Sequence, residues 1–327
     1  MVRLKDIAEV CGVSVATVSR ALNGLTNENR ERTAFICRTA RDMGYYPNAA
    51  ARTLKTSRSN NLGILYEDRM NHEYFSALFD ELRREANAHG YDLTFLGRGG
   101  SDSNYYEHAR QRSLDGVIVV QADFDAAGII RLATGSIPTV IIDHTYDGCD
   151  CVASDNRVSI DQIVCYVHAR GHQQIAFIQG EKGAVSRERI AGFYKVCAEL
   201  GIRVPVEYVR EGHFHNPSDC AAIIRDLMRL DNRPTCVLCP DDYSCLGALW
   251  LLESEGIHVP EDISLVGYDG IRMSQMISPR LTTYRQDTVQ IAKEVFALIT
   301  DAIENPETHV PKQITVTGML IEGETVR

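Results

Sequence analysis

Residues 4–23, Leu-Lys-Asp-Ile-Ala-Glu-Val-Cys-Gly-Val-Ser-Val-Ala-Thr-Val-Ser-Arg-Ala-Leu-Asn, constrain the fold more tightly than any other stretch of the chain. Ile7, Ala8 and Val10 recur at helical spacing and predict an apolar stripe on a first helix. Gly12 permits the tight turn that a helix cannot make. Ser14 is placed to accept a bond from the first free amides of a second helix, expected from about Val15 to Asn23, with Val18 and Leu22 facing inward. Two short helices joined by a glycine-containing turn predict a helix-turn-helix, whose second helix enters the DNA major groove. Asn29 can cap a third helix from about Arg30 to Met43, with Phe35, Ile36 and Ala40 facing the first two. Gly44 stands where a left-handed residue ends it. The competing reading is a helical hairpin that packs on something else.

Charge favours DNA. The chain carries 34 Lys+Arg and 44 Asp+Glu, a net charge of −10. Residues 1–60 hold ten basic and five acidic side chains, which leaves 24 basic and 39 acidic residues for the rest. A basic head on an acidic body confines phosphate attraction to the N-terminal end. No signal peptide precedes the helix-turn-helix and no apolar run approaches membrane-spanning length, so a cytoplasmic location is expected. The ten cysteines are then reduced thiols. Cys236 and Cys239 have C-x-x-C spacing, but Thr235–Cys239 reads as a buried strand that points them to opposite faces. Cys149-x-Cys151 and His213-x-His215 each share a face yet lack partners nearby in sequence. No metal site and no cofactor are expected.

After a polar linker at Ser57–Asn61 the pattern becomes strand, helix, strand, helix. Leu62–Leu65, Leu93–Leu96, Gly116–Val120 and Thr139–Ile142 read as continuous apolar strands, with an amphipathic helix from Phe75 to His89. A second series starts with a helix at Ser159–Arg170 and adds strands at Gln174–Ile178, Thr235–Leu238 and Ile263–Val266. Such alternation predicts parallel sheets covered by helices on both faces. The last strand is expected at Ile314–Ile321. Gly97-Arg98-Gly99-Gly100 lacks the spacing of a phosphate or dinucleotide loop. Nothing places a serine, histidine and aspartate in a triad, so no enzyme is expected.

Three groups of residues occur in the order and spacing of one family. They are Val13-Ser14-Val15-Ala16-Thr17-Val18-Ser19-Arg20-Ala21-Leu22-Asn23, Gly44-Tyr45-Tyr46-Pro47-Asn48, and Ala51-Arg52-Thr53-Leu54-Lys55-Thr56. Gly171–Ala176, Val266-Gly267-Tyr268-Asp269, Pro279 and Leu281-Thr282-Thr283 continue the match. On these residues the whole chain resembles the LacI/GalR family of bacterial transcription regulators. The resemblance implies an α/β protein with an N-terminal helix-turn-helix headpiece and two doubly wound subdomains of periplasmic-binding-protein type. The headpiece would span 1–47 and a hinge helix with linker 48–60. The first lobe would combine 61–156 with 286–314, and the second 157–285 with 315–327, with crossings near 156, 285 and 315.

By the same resemblance Val15, Ala16 and Arg20 face base edges. Arg20 can donate bidentately to guanine, while Thr17, Ser19 and Asn23 suit phosphates. Helix packing is the alternative role for Val15 and Ala16. Asn48 and Ala51 belong to a short hinge segment, and Leu54 would be a wedge driven between base pairs from the minor groove. Three acids, Asp143, Asp241 and Asp269, end predicted strands, where doubly wound folds bind ligands. The resemblance adds Arg189 and Phe214 from the second lobe and Tyr66, Tyr74 and Phe75 from the first. Where the family usually carries Asn-Asp this chain has Asp241-Asp242, and Asp242 is expected to cap the helix that follows. Carboxylates, one arginine and an aromatic face fit a neutral sugar. A nucleobase or a protein corepressor is the alternative; a transporter-feeding solute-binding protein and a sugar-processing enzyme are the competing classes. The expected assembly is a homodimer on a near-palindromic double-stranded operator, with no tetramer because no leucine-heptad tail follows the last strand.

Overall fold

The computed structural model describes residues 2–22, 30–46, 53, 58–67, 72–97 and 104–327. Asn23, Asn48, Ala51 and Leu54, and with them the expected hinge contacts, lie outside the described residues. The chain divides into two compact units, residues 1–59 and 60–327.

In the first unit, α1 (Leu4–Cys11) ends at Gly12, whose φ of 63° turns the chain toward α2 (Val15–Leu22). Ser14 Oγ accepts from the Thr17 amide at 3.2 Å, the cap expected of it. With α3 (Arg30–Asp42), these helices enclose Ile7, Ala8, Val18, Ala21, Ile36 and Ala40. Two sequence expectations are corrected. Val10 is 60% exposed and Phe35 50% exposed. The seam of α1 is centred on Leu4, Ile7, Ala8 and Cys11, which leaves Val10 well round the helix. Phe35 likewise lies one residue, and so about 100°, from the inward pair Ile36 and Ala40.

The second unit holds two six-stranded sheets. The first contains β1 (Asn61–Tyr66), β2 (Asp92–Leu96), β3 (Gly116–Gln121), β4 (Thr139–Ile142), β5 (Asp150–Ser154) and β11 (Gln313–Val316), all parallel, in the order β11-β5-β4-β3-β1-β2. Every central residue of β3 is buried, because helices cover both faces. Ile118 and Val120 face α4 (Glu73–Ala88) and α11 (Thr288–Glu304). Val117 and Val119 face α5 (Tyr105–Gln111) and α6 (Ala127–Ala133).

The second sheet contains β6 (Ile175–Gln179), β7 (Val209–Glu211), β8 (Cys236–Leu238), β9 (Ser264–Asp269), β10 (Thr282–Arg285) and β12 (Met319–Ile321), in the order β12-β10-β9-β8-β6-β7. Only β12 runs antiparallel. One face carries α7 (Asn156–Ala169) and α8 (Ala184–Glu199), the other α9 (Pro217–Met228) and α10 (Asp242–Ser254). Cys236 packs in the core of the first face and Cys239 in that of the second, so the C-x-x-C spacing straddles the sheet.

The expected strand 314–321 is two strands on two sheets. Gly318 lies at the break: a Cβ there would meet the Arg285 carbonyl oxygen at 2.1 Å, and its amide donates to the Tyr284 hydroxyl at 2.8 Å. All three crossings between sheets are bonded together. The Asp155 amide donates to the Val316 carbonyl at 2.9 Å, and Ser154 Oγ donates to Gln286 Oε1. No helix among the described residues is long and apolar enough to cross a membrane.

The first lobe also carries a buried ionic clamp. His309, beyond α11, places Nε2 2.7 Å from Asp150 Oδ2 and Nδ1 2.7 Å from Asp301 Oδ2. The Lys312 amide holds the other Asp150 oxygen at 2.8 Å. Burial alone would lower the imidazole pKa, but the two carboxylates outweigh it and raise the value above that of an ordinary histidine. A raised folded-state pKa gives stability that is fully present below the unfolded value, about 6.5, and lost as pH rises through the folded value. His309→Gln is expected to cost about 1–3 kcal/mol at pH 6, since Asp150 is left buried without its cation. Melting curves across pH 5.5 to 8.5 should show the parent losing this increment and the variant lacking it. Equal slopes would remove the clamp from the account.

Candidate functional site

The first unit presents one open face of α2. Val15 is 45% exposed, and Ala16 and Arg20 are exposed beside it, while Val18 is fully buried. Helix packing within the headpiece therefore does not occupy Val15 or Ala16. Thr17 and Ser19 are half-buried at the edge of this face, and the Thr17 hydroxyl lies 2.8 Å from Ser14 Oγ. The Arg20 Nε reaches back to the Ala16 carbonyl at 3.4 Å. One guanidinium beside two small apolar side chains can contact a guanine edge and a thymine methyl.

The second unit places its polar residues where strand ends of both sheets meet. The lobes are tied across this cleft. Glu73, in the first turn of α4, accepts from the Arg272 amide at 2.7 Å. The rings of His72 and His215 approach to 3.7 Å. Five described non-glycine residues have positive φ, and three belong to the cleft: Asp143 (59°), His215 (55°) and Asp269 (108°). Such strained backbone persists where the surroundings hold a side chain in place, and it concentrates at functional sites.

From the first lobe, Asp143 follows β4 and its Oδ1 accepts from the Ser154 amide at 3.0 Å. Burial raises its carboxyl pKa, against the effects of that bond and of Arg189. Tyr66 at the end of β1 packs on Phe75 and Phe79, with centroids 5.0 and 5.2 Å apart. Tyr74 is 6% exposed, and its hydroxyl has no hydrogen-bond partner among the described residues. Burial, then the charges of Asp143 and Asp269, hold that phenol well above its usual pKa.

From the second lobe, Arg189 on α8 is buried. Its Nε donates to Asn156 Oδ1 at 2.8 Å, Nη1 donates to the Pro240 carbonyl at 3.0 Å, and the guanidinium lies 3.4 Å from the centre of the Tyr268 ring. No carboxylate among the described residues lies within 4.0 Å of it. Phe214 flanks the same guanidinium at 5.9 Å. Gly180 makes room for that ring, since a Cβ there would approach Phe214 to 2.1 Å. Asp269 ends β9; its Oδ1 accepts from Gln286 Nε2 at 2.7 Å, and burial pushes its pKa up to about 7. A small pocket lies beside Arg189, lined by Ile160, Phe177, Gly180, Ser186, Leu238 and Tyr268.

Of the two acids after the Cys239-Pro240 turn, the first takes the capping role expected of the second. Asp241 caps α10: Oδ1 accepts from the Ser244 amide at 2.7 Å, and Oδ2 accepts from Ser244 Oγ at 2.8 Å and the His215 amide at 2.9 Å. Burial acts to raise its pKa, but His215 and the two amides outweigh it and lower the value. Asp242 is not the cap. It is fully buried in the first turn, accepting from Thr283 Oγ1 at 2.6 Å and the Ile271 amide at 2.9 Å. Sequence reasoning also missed His72, His215, Asn156 and Gln286. Gln286 and Ser154 form a bonded chain from Asp143 in one lobe to Asp269 in the other, through the crossing segments themselves. None of these four has a spacing signal, since their cleft partners lie from 17 residues away (Gln286 to Asp269) to 197 residues away (His72 to Asp269).

A three-helix DNA-reading head and a two-lobed body with a buried polar cleft define a ligand-regulated DNA-binding protein. The profile of the "Bacterial regulatory proteins, lacI family" matches residues 3–48, and that of the "Periplasmic binding protein-like domain" matches residues 164–326. The "Probable HTH-type transcriptional repressor ExuR" of Bacillus subtilis (strain 168) is 30% identical over 331 residues, covering 100% of this chain and 99% of its own. The lac repressor dimer bound to operator and the anti-inducer ONPF superposes with a TM-score of 0.80 at 24% identity, covering 99% of each chain. The transcriptional regulator CelR in complex with cellobiose superposes with a TM-score of 0.70 at 23% identity, covering 99% of this chain and 100% of its own. The chain belongs to the LacI family of bacterial regulatory proteins, and is a DNA-binding regulator of transcription.

Proposed function

We propose that this protein is a cytoplasmic, homodimeric repressor whose operator affinity is set by a neutral sugar held between the two lobes. The observation that carries the ligand class is the convergence of Tyr74, Asp143, Asp269 and Arg189. The Tyr74 hydroxyl is buried without a partner among the described residues, and the Arg189 guanidinium has no carboxylate within 4.0 Å. A buried polar group left unpaired is costly, so this arrangement favours a guest that brings hydroxyls. Phe214, Tyr66 and Phe75 supply aromatic faces for its C–H surface. Asp241 holds the loop of His215 and the start of α10 rather than the sugar. A cellobiose complex of a protein with this fold supports the class of ligand.

Closure on a ligand would strain the bonded chain Asp143–Ser154–Gln286–Asp269, and so transmit occupancy to the crossing segments. A differential affinity for the two arrangements is what moves the equilibrium. A thermal-shift screen over neutral sugars, acidic sugars, nucleobases and nucleosides tests the reading, since a cleft ligand raises the melting temperature by mass action. Stabilisation by a neutral mono- or disaccharide, and release from or tightening on operator at the same concentration, is the expected result. Selective stabilisation by a purine base, or by none of the small molecules, would overturn it.

For the head, Arg20→Ala is expected to weaken specific DNA binding by about 1–3 kcal/mol and to relax discrimination at one guanine per half-site. Binding measured on a set of operators with that position varied checks it. A uniform loss across all sequences would instead assign Arg20 to a phosphate.

A further inference from the structure

The described residues contain one group in which three metal-ligating side chains from both lobes meet. His72, His215 and Asp241 each offer a ligand atom, and all three atoms lie within 4.8 Å of one another. We propose that this group binds a divalent transition-metal ion of the zinc type, and that the ion clasps the first lobe to the second.

The placement of the ligands supports this. His72 immediately precedes α4 in the first lobe, whereas His215 and Asp241 belong to the second. His215 takes a left-handed backbone (φ 55°), which brings its imidazole to 3.7 Å from that of His72 with the planes tilted by 41°. Its Nδ1 lies 3.5 Å from Asp241 Oδ1. The Asp241 carboxylate is almost wholly buried and also accepts from the His215 amide, so one acid fixes both the backbone and the ring of its neighbour. Asp241 accepts three hydrogen bonds from the His215 amide, the Ser244 amide and the Ser244 hydroxyl, and a carboxylate has about four lone-pair sites.

The chemistry is selective. Two imidazoles and one carboxylate are a zinc, cobalt or nickel set, while magnesium and calcium require a shell of oxygens. Bonds of about 2.0–2.2 Å place ligand atoms about 3.3 Å apart in a tetrahedral site. Turning the two rings so that their nitrogens converge meets that spacing from a present spread of at most 4.8 Å. Three ligands converge among the described residues, one short of a tetrahedral set. Charge points the same way: Asp241 acts on Asp269, Arg189 acts on Asp143 and Asp269, and a divalent ion adds positive charge among these acids.

The proposal does not depend on the sugar reading and is tested with metal alone. The full chain, stripped with a chelator, is titrated with zinc chloride by calorimetry, with magnesium chloride as the contrast. One zinc per chain is expected, and no magnesium. His72→Asn and His215→Asn should each weaken zinc binding by at least about 100-fold. His213→Ala should leave it unchanged, because His213 is exposed and paired with Asp219 at 2.9 Å. The cobalt-loaded parent should show d–d bands without a thiolate charge-transfer band, a readout that holds even if a variant folds poorly. Absence of sub-millimolar zinc binding, parental zinc affinity in the His72 or the His215 variant, or a thiolate band that assigns the ion to cysteine would each overturn it.

Discussion

Arg189→Ala is expected to abolish the response to effector while sparing operator binding in its absence. The side chain is buried, stacked on Tyr268 and fixed by Asn156 and the Pro240 carbonyl, so its remaining donors are pre-aimed. Hydrogen bonds from a buried charge contribute about 1.5–3 kcal/mol each, and losing one or two costs about 2–4 kcal/mol. Effector affinity should therefore fall about 30- to 1000-fold. By linkage, the factor by which effector changes DNA affinity equals the factor by which DNA changes effector affinity. An operator titration with and without the identified ligand measures both. A full response would show that the signal does not enter at Arg189. Lost DNA binding without ligand would show that Asn156 and Pro240 need it for the fold of the second lobe.

Ile7→Ala should act at the other end of the chain and do the reverse. Ile7 is fully buried against Val18 and Ile36 in a core of a few small side chains. Removing three carbons costs about 2–5 kcal/mol once the cavity is counted. A unit of this size has only a few kcal/mol to lose. The headpiece should be largely unfolded at 37 °C and specific operator binding reduced to the non-specific level, while ligand binding to residues 60–327 persists. Calorimetric melting of the full chain should show the transition of the body unchanged and that of the head lost. Operator affinity within twofold of the parent would mean that the head tolerates the cavity.

Legibility in the sequence followed the range of the interactions. The turn at Gly12 and the cap at Ser14 depend on neighbours a few residues away, and local spacing was enough, whereas the outward-facing Val15, Ala16 and Arg20 came from the family resemblance. The strands of both sheets were legible because burial on two faces leaves continuous apolar runs such as Gly116–Val120. β5, β7 and β10 were missed for the complementary reason: β5 reads Asp-Cys-Val-Ala-Ser, β7 is three residues long and β10 is Thr-Thr-Tyr-Arg. Val10 and Phe35 were misplaced because an apolar residue next to a seam carries the same letter as one within it.

The sequence by itself determined a basic reading head, a doubly wound body, and acids at the ends of β4 and β9. It also determined that Cys236 and Cys239 could not share an ion, since a strand's period of two is a local rule. Only the tertiary structure decided what the acids do. Asp241 and Asp242 are adjacent, yet one caps a helix and the other is bonded to Thr283 and Ile271. His215 looked isolated because its partner His72 lies 143 residues earlier, and Gln286 reaches Ser154 across 132 residues. Such contacts exist only once three crossings have set two sheets face to face. No periodicity encodes them, because their geometry is fixed by where separate strands end and not by the spacing of residues along one.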